Sequence, residues 1–197
     1  DDNQITAFHP GAMNYSHVAQ VPRVDSITLG VVAPNGREGM QRHAEQFAAA
    51  GIPLLFDPGQ GLPMFNGEEL LGFIAQSAWV AVNDYEGQML QERTGLSHAE
   101  IARRVRALIV TRGAEGSVIY ADGREIVIPP ARPDAIVDPT GCGDAYRAGL
   151  IFGLQNGLDW ETTGRVASLM GSIKIAHAGT QQHRFTRDEF EDRFLAS

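Results

Sequence analysis

The chain has 197 residues, with 24 acidic against 16 basic side chains and a formal net charge of −8. That length holds one large domain or two small ones, and charge of this sign excludes a general nucleic-acid binder, which needs a basic face. The lone cysteine, Cys142, excludes an intrachain disulfide framework and fits a reducing, cytoplasmic setting. No apolar run reaches the roughly 18 residues that a membrane helix needs, so no membrane partner is expected. The basic residues are fifteen arginines and one lysine, Lys174. Any lysine-centred phosphate chemistry would have to use that one. An apolar segment starts almost at once after Asp1, and a preceding N-terminal part is expected.

In chain order, ITAFHP (residues 5–10) reads as a short strand stopped by Pro10-Gly11. SITLGVVAP (26–34) reads as a second, more continuously apolar strand. GREGMQRHAEQFAAAG is helical: Met40, Ala44, Phe47 and Ala48 recur at helix spacing, and Gly51 stands where a C-terminal cap belongs. IPLLFDP is a buried strand ending at Asp57. NGEELLGFIAQS is a helix with Asn66 as N-cap and Glu69 three residues on. WVAVN is a strand ending at Asn83, and DYEGQMLQERTG is a short helix after it. SHAEIARRVRA is a helix with Ser97 and Glu100 as capping box, and LIVT (108–111) is the next strand. SVIYA and EIVIPP flank DGR, which signals a hairpin.

DAIV (134–137) starts like a buried strand, and the helix after Asp144 reads as buried on several faces through Ala145, Ala148, Leu150, Ile151, Phe152 and Leu154. A final helix over ETTGRVASLMGSIKIAHAG puts Val166, Leu169, Met170 and Ile173 on one face. With no repeat and no linker, the chain reads as one domain. The β-α rhythm and the non-alternating apolar runs predict a mostly parallel sheet between helix layers. Ligands bind outside the carboxyl ends of such strands, where Asp57, Asn83 and Thr111 fall; Asp57 also suits a turn-starting role.

The chemistry-bearing stretch is DPTGCGDAY (138–146). A helix start offers unpaired N–H groups and partial positive charge. Gly141 and Gly143 leave no side chain in the way of a phosphate, and Cys142 between them is small. Asp144 falls in the first turn, where its charge is stabilised and it can take a proton from an alcohol. The same residues also suit a plain tight turn with Asp144 as an ordinary first-turn acid. A P-loop is excluded because no Gly-Lys pair occurs, and a dinucleotide fingerprint fails at Tyr146. NDYE sets Asn83 and Glu86 three residues apart at a strand end, a spacing that suits either a helix cap or a hydrated Mg²⁺. In TRGAEG, Thr111 can bond a phosphate oxygen and the glycines let the backbone run close to a nucleotide; a plain loop is the other reading. AHAGTQ (176–181) also suits a glycine helix cap. The six histidines show no metal spacing.

The order NxxE, TxGxxG, DxTGxGD and a terminal AGTQ resembles the ribokinase family, also called the PfkB-type carbohydrate kinases. The resemblance implies a ribokinase-like three-layer α/β/α sandwich with a mostly parallel sheet. Residues 1–13 would be the tail of a lid and acceptor region, and 14–197 the core with the ATP site, together the C-terminal two-thirds of one kinase domain. It implies Asp144 as catalytic base, with Gly141, Cys142 and Gly143 as an anion hole; Cys142 stands where alanine is usual. Asn83 and Glu86 would manage Mg²⁺ and phosphates, Thr111, Gly113 and Gly116 would form the ATP turn, and His177 and Gly179 would pack near the adenine. In members activated by a monovalent cation such as K⁺, the residues matching Asp138 and Thr140 lie beside the ion. ITAFHPGAM, FDPGQ and AGTQ look most like the adenosine kinase branch. The implied activity is ATP-dependent phosphorylation of a primary hydroxyl of a nucleoside, adenosine favoured, or of a sugar. A silent nucleotide-binding regulator stands as the alternative outside enzymes, although an intact Asp144 argues against it. A homodimer is left open.

Overall fold

A computed structural model describes residues 8–22 and 25–196. Six strands, β1 (Gly30–Val32), β2 (Leu54–Phe56), β3 (Trp79–Asn83), β4 (Ala107–Thr111), β5 (Ser117–Ala121) and β6 (Arg124–Ile128), hydrogen-bond in chain order. The β1–β2, β2–β3 and β3–β4 pairs are parallel. Between them run α1 (Arg37–Ala49), α2 (Gly67–Gln76), α3 (Asp84–Thr94) and α4 (His98–Ala102), and the chain ends in α5 (Cys142–Gln155), α6 (Trp160–Ile175) and α7 (Arg187–Ala196). This is the mostly parallel α/β architecture that the β-α rhythm predicts. The described residues fall into two compact units, 8–111 with 120–125, and 112–119 with 126–196.

In the first unit, β2 is buried at every position, and β3 and β4 at all but their last. Such strands need cover on both faces; because β1 to β4 pair in chain order, right-handed crossovers put α1–α4 on one of them. The core joins Phe56, Leu70, Phe73, Val80, Leu108 and Val110, and the Phe56 and Phe73 rings stack at 4.5 Å. The expected caps form at Asn66 with Glu69 and at Ser97 with Glu100, and a capping box also forms at Asn83 with Glu86, whose spacing suits a cap or a hydrated Mg²⁺. Helix α1 closes at Gly51 as expected, with Ile52 N–H donating to the Phe47 carbonyl at 3.0 Å. Met40 and Ala44 are buried on it, but Phe47 is only half-buried and Ala48 is exposed.

Several sequence expectations need correction. The strand expected at 26–34 covers only Gly30–Val32, because its partner β2 is three residues long and bounded by Pro53, which has no N–H to give. The helix expected after Ser97 stops at Ala102, where the chain turns into β4 and Arg106 N–H bonds the Ala78 carbonyl at 2.7 Å. The strand expected over ITAFHP lies largely outside the described residues.

In the second unit, α5 packs against α6, with Leu150, Val166, Ala167, Leu169 and Ile173 buried; Met170 is half-buried. The predicted hairpin joins β5 to β6 through residues 120–125, which group with the first unit, and Asp122 and Gly123 both hold positive φ, 52° and 72°, as a two-residue turn between right-twisted strands requires. Residues 134–137 do not form the expected buried strand. Ile136 and Val137 are 79% and 55% exposed, and the N–H groups of Val137 and Asp138 both donate to the Ile175 carbonyl at the end of α6. Pro129, Pro130 and Pro133 precede the segment, and prolines cannot donate to a ladder. Helix α5 is less enclosed than its composition suggests, since Ala148 and Phe152 face outward. Helix α6 is not the final helix: α7 follows, capped by Thr186 and Glu189, whose N–H groups each bond the other's side chain.

Candidate functional site

In the first unit, the polar groups stand at the carboxyl ends of the strands. Asp57 follows β2, while Asn83 closes β3 directly beside Thr111, which closes β4. The Asn83 side chain accepts from Glu86 N–H at 2.7 Å, and its amide donates to Glu86 Oε1 at 2.9 Å. The other Glu86 carboxylate oxygen accepts the Asn83 backbone N–H at 2.9 Å. Both side chains therefore cap α3. A pair already engaged in this way can meet a hydrated cation through its water shell but is not a cage for a bare one. Among the described residues no cluster of three His, Cys, Asp or Glu side chains could hold a metal. Thr111 Oγ1 lies 3.4 Å from the Val82 carbonyl, a long contact that leaves its hydroxyl weakly committed. A larger hollow of about 1120 Å³ lies at the opposite, amino end of the strands against Gln46, Gly51 and Pro53. It is remote from these carboxyl-end groups, which makes it a poor place for the chemistry.

In the second unit, DPTGCGD folds into a turn and the start of α5. Gly141 is the N-cap with φ +86°, and a Cβ there would also stand 3.2 Å from Thr180 Cβ. Glycine is thus required twice, by conformation and by the close approach of the AGTQ segment. Asp144 is the third residue of the helix and is exposed. Beside it Gly143 is open: a Cβ would meet only Arg147 Nη1, at 4.0 Å. Of the first-turn N–H groups, that of Cys142 is taken by the Pro139 carbonyl at 3.1 Å. One of the three N–H groups of residues 141–143 is thus already engaged within the turn. Tyr146 is buried, and its hydroxyl bonds Ser117 Oγ at 2.7 Å, anchoring α5 on β5. Burial pushes the Cys142 thiol pKa up, so it is no thiolate near neutral pH.

Asp138 binds this turn to the segment after α6. Its Oδ1 accepts Thr140 N–H at 2.9 Å and its Oδ2 accepts Gly179 N–H at 2.8 Å. The Thr140 backbone bond first, then the Thr140 hydroxyl and Gly179 N–H, hold its carboxyl down at about 2. A carboxylate with a depressed folded pKa stabilises the fold above its unfolded value, and that contribution is lost as pH falls through the folded value. Asp138→Asn is therefore expected to flatten the loss of thermal stability between about pH 4 and about pH 2 relative to wild type. Parallel acid melting curves for the two proteins would contradict the assignment.

His177 Nδ1 donates to the Ile173 carbonyl at 2.9 Å. With Ala135, Arg184, Phe185 and Arg193 it lines a cavity of about 310 Å³. Gly179 lies beyond the helix end with φ +73°. Gly113 opens a short 3-10 turn and Gly116 closes it. Sequence reasoning missed two members of this cluster. Thr180 backs Gly141, and Lys174 is fully buried with its ammonium on the Asp138 carbonyl at 2.6 Å.

The model of the pfkB family carbohydrate kinases matches residues 1–186. A Burkholderia thailandensis nucleoside kinase in complex with inosine is 50% identical, with a TM-score of 0.95 over 98% of this chain and 64% of that one. The same enzyme with ADP-inosine superposes with a TM-score of 0.96, over 100% of this chain and 61% of that one. A nucleoside kinase of Methanocaldococcus jannaschii is 31% identical over 193 residues, 98% of this chain and 63% of its own length. The chain thus spans just under two-thirds of these relatives.

Proposed function

The chain belongs to the pfkB family of carbohydrate kinases, and on that premise we propose that the full-length protein transfers the γ-phosphoryl group of ATP to a primary hydroxyl of a purine nucleoside. The observation that carries this reading is the start of α5, where an exposed Asp144 carboxylate stands next to the open backbone of Gly143. Phosphoryl transfer has a loose transition state, so the protein mainly positions groups and stabilises charge. Asp144 accepts the hydroxyl proton as the new P–O bond forms. The N–H groups at the helix start receive the developing charge on the phosphoryl oxygens. Glu86 and Asn83 would hold Mg²⁺ through its water shell, where it neutralises phosphate charge. Thr111, Gly113 and Gly116 take the ATP turn, and His177 and Gly179 the neighbourhood of the base.

The nucleoside acceptor is supported by two nucleoside kinases among the relatives, one of them bound to inosine. Adenosine remains the favoured acceptor from the sequence resemblance, and inosine joins it. No helix among the described residues is long and apolar enough to cross a membrane; a cytoplasmic location belongs to the proposal.

ADP release by the full-length protein, followed with adenosine, inosine, ribose and fructose, tests the reading. A nucleoside is expected to give the highest kcat/KM. A sugar that outpaces both nucleosides would make the protein a sugar kinase. ATP binding without turnover of any acceptor would point to the silent regulator.

A further inference from the structure

The only lysine of the chain lies in the last turn of α6, and its side chain is fully buried. An unpaired ammonium in such a place costs several kcal/mol, so its partners define its purpose. Lys174 Nζ donates to the Asp138 carbonyl at 2.6 Å and to the His177 carbonyl at 3.3 Å. One of these carbonyls belongs to the turn that leads into α5, the other to the segment that follows α6. The Asp138 carboxylate ties the same two segments a second time, through Thr140 N–H and Gly179 N–H. A third tie is steric, Gly141 against Thr180. The ammonium therefore sits within a knot that fixes where α5 begins, and with it Gly143 and Asp144.

A bare monovalent cation would do this work only if several oxygens aimed their lone pairs at one shared point. The oxygens here do not fit that demand. Both Asp138 carboxylate oxygens already face N–H donors, and the Asp138 carbonyl faces the ammonium. Adding a cation against these donors would set positive charge against positive charge. We propose that Lys174 is a covalently tethered counterpart of an exchangeable monovalent cation: its ammonium gathers the Asp138 and His177 carbonyls, positions the start of α5, and makes the protein independent of K⁺ there. Lys174 acts through the turn and is a positioning residue. The activity arm of its test rests on the kinase reading, and the melting arm does not.

The test uses full-length protein in KCl and in tetramethylammonium chloride at equal ionic strength. Wild type is expected to melt at the same temperature in both salts and to turn over at rates within about twofold, because a cation that binds only the folded state would raise its stability by mass action. A saturable rise of the wild-type melting temperature or rate with K⁺ would overturn the proposal, whatever the variants do. Lys174→Ala leaves room for a cation, and is expected to melt lower in tetramethylammonium and to regain stability and rate as K⁺ or NH₄⁺ is added. A purely space-filling lysine would give no such gain. Lys174→Ala that melts like wild type in tetramethylammonium would also overturn the proposal. If that variant fails to fold, the wild-type salt comparison still decides, and Lys174→Arg, which keeps a charge, is expected to stay K⁺-independent.

Discussion

Asp144→Asn in the full-length protein is expected to lower kcat by about 10²–10⁴-fold, the usual contribution of a positioned general base, while the affinity for ATP stays close to wild type. The substitution keeps the shape of the side chain and removes its ability to take a proton. The carboxylate is exposed in the first turn of α5, so its packing contribution is small. Its interaction with the helix dipole is worth only about 0.3–1 kcal/mol, too little for unfolding to imitate a catalytic loss. The backbone N–H groups at the helix start are untouched, so ground-state contacts to the nucleotide persist. Loss of a contact made only in the transition state lowers kcat and kcat/KM together. Steady-state kinetics with varied ATP and with varied nucleoside would show this pattern, with a melting curve as control. A variant within about tenfold of wild type would remove Asp144 from the role of base.

What the sequence made legible was mostly local. A capping box needs only its own four residues, so Asn66, Asn83 and Ser97 were readable without knowledge of the fold. The turn Asp122–Gly123 was readable for the same reason. The apolar runs of β3 and β4 revealed strands because burial on both faces leaves no polar position to confuse the pattern. The same logic misled at residues 134–137, where Ile136 and Val137 look like core and stand exposed. The partner of the Val137 and Asp138 N–H groups, the Ile175 carbonyl, is far along the chain, and no periodicity encodes it. Helix α7 escaped because its sequence is highly charged and its apolar face is short, Phe190 with Phe194; the Thr186 and Glu189 cap was the signal that could have found it.

At the candidate site, Asp144 in the first turn was legible from the glycines before it. The bracing of that turn was not. Lys174 in an apolar helix reads as an interruption of the pattern, and only the fold shows that its charge meets a carbonyl 36 residues away. Thr180 is similarly silent until its contact with Gly141 is seen.

Gly149→Val is expected to cost the most stability of any single substitution considered. Gly149 is buried in the middle of α5, where a Cβ would lie 2.6 Å from Ala167 Cα, 3.0 Å from Ala167 N and 3.1 Å from Met170 Cγ. Two of those atoms are backbone of α6 and cannot swing aside as a side-chain tip can. The next glycine on this face, Gly153, meets side-chain rather than backbone atoms first, those of Thr163, beginning at 2.6 Å. Helix propensity argues the other way, since glycine inside a helix is about 0.5–1 kcal/mol worse than alanine. Overpacking a filled core costs about 1–3 kcal/mol even for a small excess, and a branched side chain against backbone belongs at or above the top of that range. Even Gly149→Ala is therefore expected to destabilise. Gly72, inside α2, supplies the contrast, because a Cβ there meets nothing within 4 Å. Gly72→Ala should raise the urea midpoint, and Gly149→Ala should lower it. Forcing α5 from α6 also moves the helix that carries Asp144, so Gly149→Val should lose activity at temperatures where the protein is still folded. A Gly149→Ala protein that gains stability as Gly72→Ala does would show that the two helices do not meet backbone to backbone at this point.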